Sequence, residues 1–154
     1  MGLEIERKFL VVGDRWRADA TGSAFRQGYL STAKERTVRV RVVDGIGLLT
    51  VKGTTVGATR AEFEYEIPVA EARVLLDELC EHPLIEKTRH VVANESRTWT
   101  IDEFDGANAG LVVAEIELEH PDEPIDFPAW VGSEVTHDPR YYNANLVAFP
   151  FSSW

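Results

Sequence analysis

The chain has one cysteine, Cys80, in 154 residues. A lone thiol permits no intramolecular disulfide and no cysteine metal cluster, so a reducing compartment fits and a zinc site does not. Cys80 itself reads as a packed apolar residue on a helix. His82, His120 and His137 fall in loops without ligand spacing, and His90 lies on the apolar side of a strand pattern. Long apolar runs are missing: none approaches the roughly 18 residues that span a bilayer. The start Met1-Gly2-Leu3-Glu4 lacks the basic-then-apolar build of a secretory signal. The expectation is a cytoplasmic protein with no membrane partner. Positive charge is in deficit, 16 Lys and Arg against 26 Asp and Glu for a formal net charge of -10. That is the wrong sign for a general nucleic-acid binder. No repeat, linker or low-complexity segment interrupts the chain, so residues 1–154 read as one domain, a monomer or a homodimer.

What is present begins at the N-terminus with Glu4-Ile5-Glu6-Arg7-Lys8-Phe9. On a strand this puts Glu4, Glu6 and Lys8 on one face and Ile5, Arg7 and Phe9 on the other. Two carboxylates beside an ammonium can hold a divalent cation and touch an anion that the cation also touches. Taken alone, the same pattern equally describes the solvated face of an edge strand.

The rest of the chain repeats the theme. A first strand runs from about Leu3 to Val12, followed by a short turn of helix around Trp16 that Asp14 can cap. After a break at Thr21-Gly22-Ser23, a second strand covers Phe25 to Ser31. Thr37 to Val43 alternates valine with Arg39 and Arg41, and Asp44-Gly45 turns it into a strand from Gly47 to Lys52. Thr59 to Ile67 sets Glu62, Glu64 and Glu66 against Phe63, Tyr65 and Ile67. Ala72, Leu75, Leu76 and Leu79 carry helical spacing across 70–80. Three more strands are expected over 85–94, 96–104 and 110–119. A proline-rich loop follows from Pro121 to Gly132, and Asp138-Pro139 starts a helix reaching about Val147.

Five strands thus carry charged residues two apart, and two others carry Lys52 and Asp102 singly. Same-face neighbours two residues apart sit about 6.6 Å from each other. Like charges at that distance repel by about 2.5 kcal/mol at an effective dielectric near 20, but by only about 0.6 kcal/mol in water. A sheet facing water has no reason to segregate signs, because opposite charges across strands stabilise more. Arginine and lysine pairs facing a polyanion, with glutamate pairs facing divalent cations, satisfy both sets at once. The architecture that follows is α+β and mainly antiparallel, a sheet curled into a barrel with its charged face inside and helices outside. The competing architecture is a two-layer sheet whose charged face meets water.

Taken together, E-I-E-R-K-F-L-V at the start, Q-G-Y-L at 27–30, T-V-R-V-R at 37–41, L-T-V-K-G at 49–53, E-F-E-Y-E-I-P at 62–68, K-T-R-H at 87–90, D-E-F at 102–104, A-E-I-E-L at 114–118 and Y-Y-N-A-N-L at 141–146 cover nearly the whole chain in order. The set resembles a CYTH-domain protein of the triphosphate tunnel metalloenzyme superfamily. The resemblance implies an eight-stranded closed tunnel barrel that binds triphosphate compounds with Mg2+ or Mn2+. It also implies hydrolysis of inorganic triphosphate, with thiamine triphosphatase, class IV-type adenylate cyclase or a non-hydrolysing polyphosphate or nucleotide sensor as alternatives. Carried over by position, Lys8, Arg39, Arg41, Lys52, Arg60, Lys87 and Arg89 would contact the phosphates. Glu4, Glu6, Glu115 and Glu117 would hold or orient metal, with Glu62, Glu64 and Asp102 as further ligands or supports. Lys8 with Tyr29 is one candidate for the catalytic base. No helical polyphosphate-associated domain follows, so a scaffold role from one is not expected.

Overall fold

The computed structural model describes residues 2–154, which form nine strands joined into one sheet. They are β1 (Gly2–Val11), β2 (Thr21–Ser31), β3 (Thr37–Val43), β4 (Ile46–Lys52), β5 (Thr59–Ile67), β6 (Ile85–Asn94), β7 (Arg97–Phe104), β8 (Val112–Glu117) and β9 (Val131–Glu134). The neighbours run β5-β4-β3-β2-β6-β7-β8-β1, and β1 pairs back onto β5 to close eight strands into a barrel. All pairings are antiparallel.

β1 is the seam. One edge pairs Glu6 to Leu10 with β8; the other pairs Gly2 to Ile5 with β5 and then passes to β9 through Phe9 and Val11. A short ninth strand therefore covers the edge that β5 leaves open. The β3–β4 hairpin turns at Asp44 and Gly45, both with positive φ of 51° and 74°, the left-handed pair that a tight two-residue turn requires.

The period-2 pattern sorts cleanly. Glu4, Glu6 and Lys8 share a face with Glu115, Thr100, Asp102, Arg89, Lys87, Phe25, Gln27, Arg41, Arg39, Thr50, Glu64, Lys52 and Glu62 through successive registers, a circuit that closes on itself. The opposite face is apolar and is covered in two places. Trp16 and Trp130 pack with Phe9, Trp99, Ile101 and Ile116 on one side. Helix α1 (Val69–Val74) and the turn after it lay Ala72, Leu76 and Cys80 over Val40.

Several details depart from the expected elements. Thr21–Ser23 continues β2 instead of breaking it, and β9 emerges from the end of the proline loop. Residues Leu75–Leu79 form a π turn, closed by the Cys80 amide donating to the Leu75 carbonyl at 2.9 Å. The wider turn rotates Leu79 to 63% exposure and brings Cys80 onto the core in its stead. The C-terminal helix divides into a 3-10 turn (Pro139–Tyr141) and α2 (Asn143–Ala148). These lie outside the barrel but across one end of it, where Tyr141, Leu146 and Val147 meet Leu10, Tyr29, Ile85, Phe104 and Val113. Those five strand residues belong to the inward alternation, so the apolar part of the lumen is sealed by an apolar plug. Where β5 pairs with β1 the outer face is left open by the described residues: Leu3 of β1 and Phe63 and Tyr65 of β5 are exposed, against the expectation of helices outside. Among the described residues no helix is long and apolar enough to cross a membrane.

The seat of α1 is a close approach. A β-carbon at Gly47 would stand 2.8 Å from the Ala72 β-carbon and 2.9 Å from the Ile67 carbonyl oxygen. Gly47→Ala should therefore lose about 1–3 kcal/mol of stability, read as a lower urea midpoint with unchanged slope.

Candidate active site

Strand geometry brings the inward charges into two facing groups. Arg39 and Arg41 from β3 and Lys87 and Arg89 from β6 make a cationic wall. Glu4 and Glu6 from β1, Glu62 and Glu64 from β5, and Glu115 and Glu117 from β8 make the acidic one.

On the cationic side Asp102 is the central counter-ion. It is 1% exposed, accepts from Arg89 Nε at 2.7 Å and Arg89 Nη2 at 2.9 Å, and accepts from Lys87 Nζ at 2.7 Å. Burial opposes its charge, yet Lys87 and Arg89 hold its carboxyl down at about 2. Both of its oxygens are thus engaged by cations. Lys87 pays for burial and for Arg89 and Arg41 nearby: despite Asp102, its ammonium falls to about 7. Arg41 is pushed down to about 9 by burial and by Arg39 and Arg89. Among the described residues it pairs with no carboxylate; its Nε donates to the neutral Gln27 Oε1 at 2.8 Å. Arg39 donates to Thr50 Oγ1 at 3.0 Å and Glu64 at 3.3 Å, while its own buried Nε has no partner among the described residues. Phe25 stands within this group, its ring 4.6 Å from the Arg41 guanidinium, 5.0 Å from that of Arg89 and 5.9 Å from Lys87 Nζ.

On the acidic side the carboxylates associate in pairs. Glu62, pushed up to about 7 by burial and Glu4, hydrogen-bonds to Glu4, and Lys52 sits between them at 3.0 and 3.1 Å. Burial, Glu115 and Glu4 push Glu6 well above the usual carboxylate range, and it hydrogen-bonds to Glu115. Lys8 reaches Glu115 at 3.4 Å. Burial works against its charge, but Glu115 and Glu6 hold the ammonium well above its ordinary value. Among the described residues no three acids converge as a formed metal cage.

The remaining candidates lie further from these groups or bear on them less directly. Arg60 is turned to the loop, its guanidinium donating to the Gly53 carbonyl at 3.1 Å and Thr37 Oγ1 at 3.3 Å. Glu117 pairs in register with Glu6 but is exposed. Tyr29 is 3% exposed, packs in the plugged end and accepts from Gln27 at 3.3 Å. Sequence reasoning missed Phe25, Gln27, Thr50 and Asn143. Their advance signals were position and motif: Phe25 and Gln27 stand four and two residues before Tyr29, Thr50 shares a face with Lys52, and Asn143 lies in the Y-Y-N-A-N-L stretch.

The profile of the CYTH domain family matches residues 2–145. An inorganic triphosphatase of Acetivibrio thermocellus is 54% identical over 156 residues, spanning 100% of this chain and 99% of that protein. The crystal structure of the inorganic triphosphatase NE1496 is 30% identical with a TM-score of 0.68, covering 94% of this chain and 97% of that one. A putative adenylate cyclase from Bacillus halodurans, 17% identical with a TM-score of 0.60 over 79% of this chain and 84% of that one, shares the fold. A closed antiparallel barrel with an interior split into cationic and acidic walls, matched along nearly its whole length, makes this chain a member of the CYTH domain family.

Proposed function

We propose that this chain hydrolyses inorganic triphosphate to pyrophosphate and phosphate inside the barrel. One observation carries the reading: Arg41 is buried beside Arg39 and Arg89, with a neutral amide where a carboxylate would be expected. Buried like charges in that number are costly unless an anion joins them. The unpartnered Nε of Arg39 supports the same conclusion. The names of the relatives give the anion's class, since two relatives matched over 94% or more of this chain are inorganic triphosphatases.

Arg39, Arg41, Lys87 and Arg89 bind the phosphate oxygens, and Lys8 and Lys52 bridge from the acidic wall. In-line attack of water on a terminal phosphorus breaks one P–O–P bridge, and the cations take up the charge that grows on the leaving oxygens. Lys8 acts here as a cation; Glu115 and Glu6 hold it protonated, which disfavours it as a base. Tyr29 supports Gln27 from the plugged end.

The acidic wall fits a divalent cation. Glu4 with Glu62 and Glu6 with Glu115 are hard-oxygen pairs that hydrogen-bond to each other, an arrangement a cation would replace. Glu4, Glu6, Glu62 and Glu115 would hold it, with Glu64 and Glu117 within their strands' reach, and Mg2+ or Mn2+ suits the donor set. When bound, the ion supplies charge neutralisation and an activated water. Asp102 supports Lys87 and Arg89 and takes no ligand role.

The test incubates purified protein with Mg2+ or Mn2+ and tripolyphosphate, ATP, thiamine triphosphate or long polyphosphate, following orthophosphate and cyclic AMP. Metal-dependent phosphate release fastest from tripolyphosphate is the expected result. Cyclic AMP with pyrophosphate from ATP, preference for thiamine triphosphate, or binding without any product would each overturn it.

A further inference from the structure

We propose that Gln27 and Asn143 form a positioning bridge that ties the barrel's plug to its anion-binding wall and fixes Arg41 and Lys87 for a linear polyphosphate. The reading rests on the function proposed above. Gln27 is fully buried on β2, and Asn143 is the first residue of α2, 116 positions away. Gln27 Oε1 accepts from Arg41 Nε at 2.8 Å; Gln27 Nε2 donates to Asn143 Oδ1 at 3.2 Å; and Asn143 Oδ1 accepts from Lys87 Nζ at 2.9 Å.

The polarity of this chain is fixed from both ends. Arginine and lysine can only donate. Arg41 therefore requires the oxygen of Gln27 to face it, which turns the amide nitrogen of Gln27 toward Asn143. Lys87 requires the oxygen of Asn143, and that same oxygen receives Gln27. Two neutral amides thus hold two cations in register without neutralising either. A carboxylate at either position would do so and would compete with the anion. The two side chains are polar where the cluster between plug and strands is apolar, Tyr29, Ile85, Phe104 and Leu146 among it, which suits a bridge better than a filler.

A double-mutant cycle tests this, using Asn143→Ala, Gln27→Met and the pair, with Asn143→Asp as the acceptor-retaining variant. Each is read by urea unfolding, by KM and kcat for tripolyphosphate, and by calorimetric binding of tripolyphosphate without metal. Hydrogen bonds to charged groups are worth about ten- to a hundredfold. Each single variant should bind and saturate about tenfold more weakly while kcat changes by less than about threefold. Because one chain is broken in either case, the double variant should be about as weak as the singles. Asn143→Asp, still accepting from Lys87, should unfold at a higher urea midpoint than Asn143→Ala yet bind tripolyphosphate no more tightly, because its carboxylate neutralises Lys87 and competes with the anion. Unchanged affinity in the singles, additive losses in the double, or tripolyphosphate affinity restored by Asn143→Asp would each overturn the bridge. If Asn143→Ala does not fold, Gln27→Met and Asn143→Asp decide by the same affinities. A parent protein that binds tripolyphosphate but releases no phosphate overturns the hydrolytic reading alone, since the binding cycle still reads the bridge. A parent that does neither overturns both.

Discussion

Asp102→Asn should lose about 3–5 kcal/mol of stability, the scale seen when one partner of a buried ion pair is removed. Lys87 and Asp102 are almost wholly buried, and three of the hydrogen bonds that compensate two cations end on this carboxylate. An asparagine keeps the shape but leaves Lys87 and Arg89 with no buried negative charge beside them on β7. Urea unfolding checks the loss. Tripolyphosphate in metal-free buffer should recover part of it, because an anion bound by the variant adds stability by mass action. The pH dependence has a defined sign. The Asp102 carboxyl is depressed from 3.8 to about 2 on folding, so its contribution is complete above about pH 4 and is lost as pH falls toward 2. The parent should show that loss and Asp102→Asn should lack it. Equal urea midpoints for parent and variant at pH 7 would show that Asp102 is not the counter-ion of this wall.

Arg41→Gln should do the opposite to stability and far more to turnover. Removing a buried arginine that has no carboxylate partner relieves its repulsion with Arg39 and Arg89, so the variant should be at least as stable as the parent. Its phosphate release from tripolyphosphate should fall by about 10²–10³, the usual loss when one preorganised donor to a developing oxyanion is removed. Arg41→Lys should sit between them: it keeps the charge but loses the planar fork and the stacking on Phe25 at 4.6 Å. Phosphate assays on folded variants, with urea curves alongside, separate the two effects. Stability lost together with turnover would mean that Arg41 holds the barrel together and that its charge is not held in reserve for an anion.

Much of the barrel was legible because β-structure with one apolar and one charged face writes itself into sequence at period 2. The alternation in 37–43, 59–67 and 85–94 gave strands whose bounds the structure reproduces. Helical periodicity served less well. The spacing of Leu75, Leu76 and Leu79 assumed 3.6 residues per turn, and a π turn at Leu75–Leu79 changed which of them faces the core. β9 is four residues long and exists because β1 outruns β5, a consequence of closure that no local pattern records. Phe25 looked like one more apolar strand residue, yet in the lumen its ring sits among three cations.

By itself, then, the sequence determined which residues are charged, that they share faces at every second position, and that segregated signs need an anion and cations between them. Only the tertiary structure decided which charges meet. Lys52 reaches Glu4 across 48 residues, Lys8 reaches Glu115, and Gln27 reaches Asn143 across 116. Side-chain period says which face a residue occupies, but the partner across the lumen depends on how the strands are staggered when the sheet closes. That stagger is a property of the whole barrel and of the plug that seals its end, so no single strand can encode it.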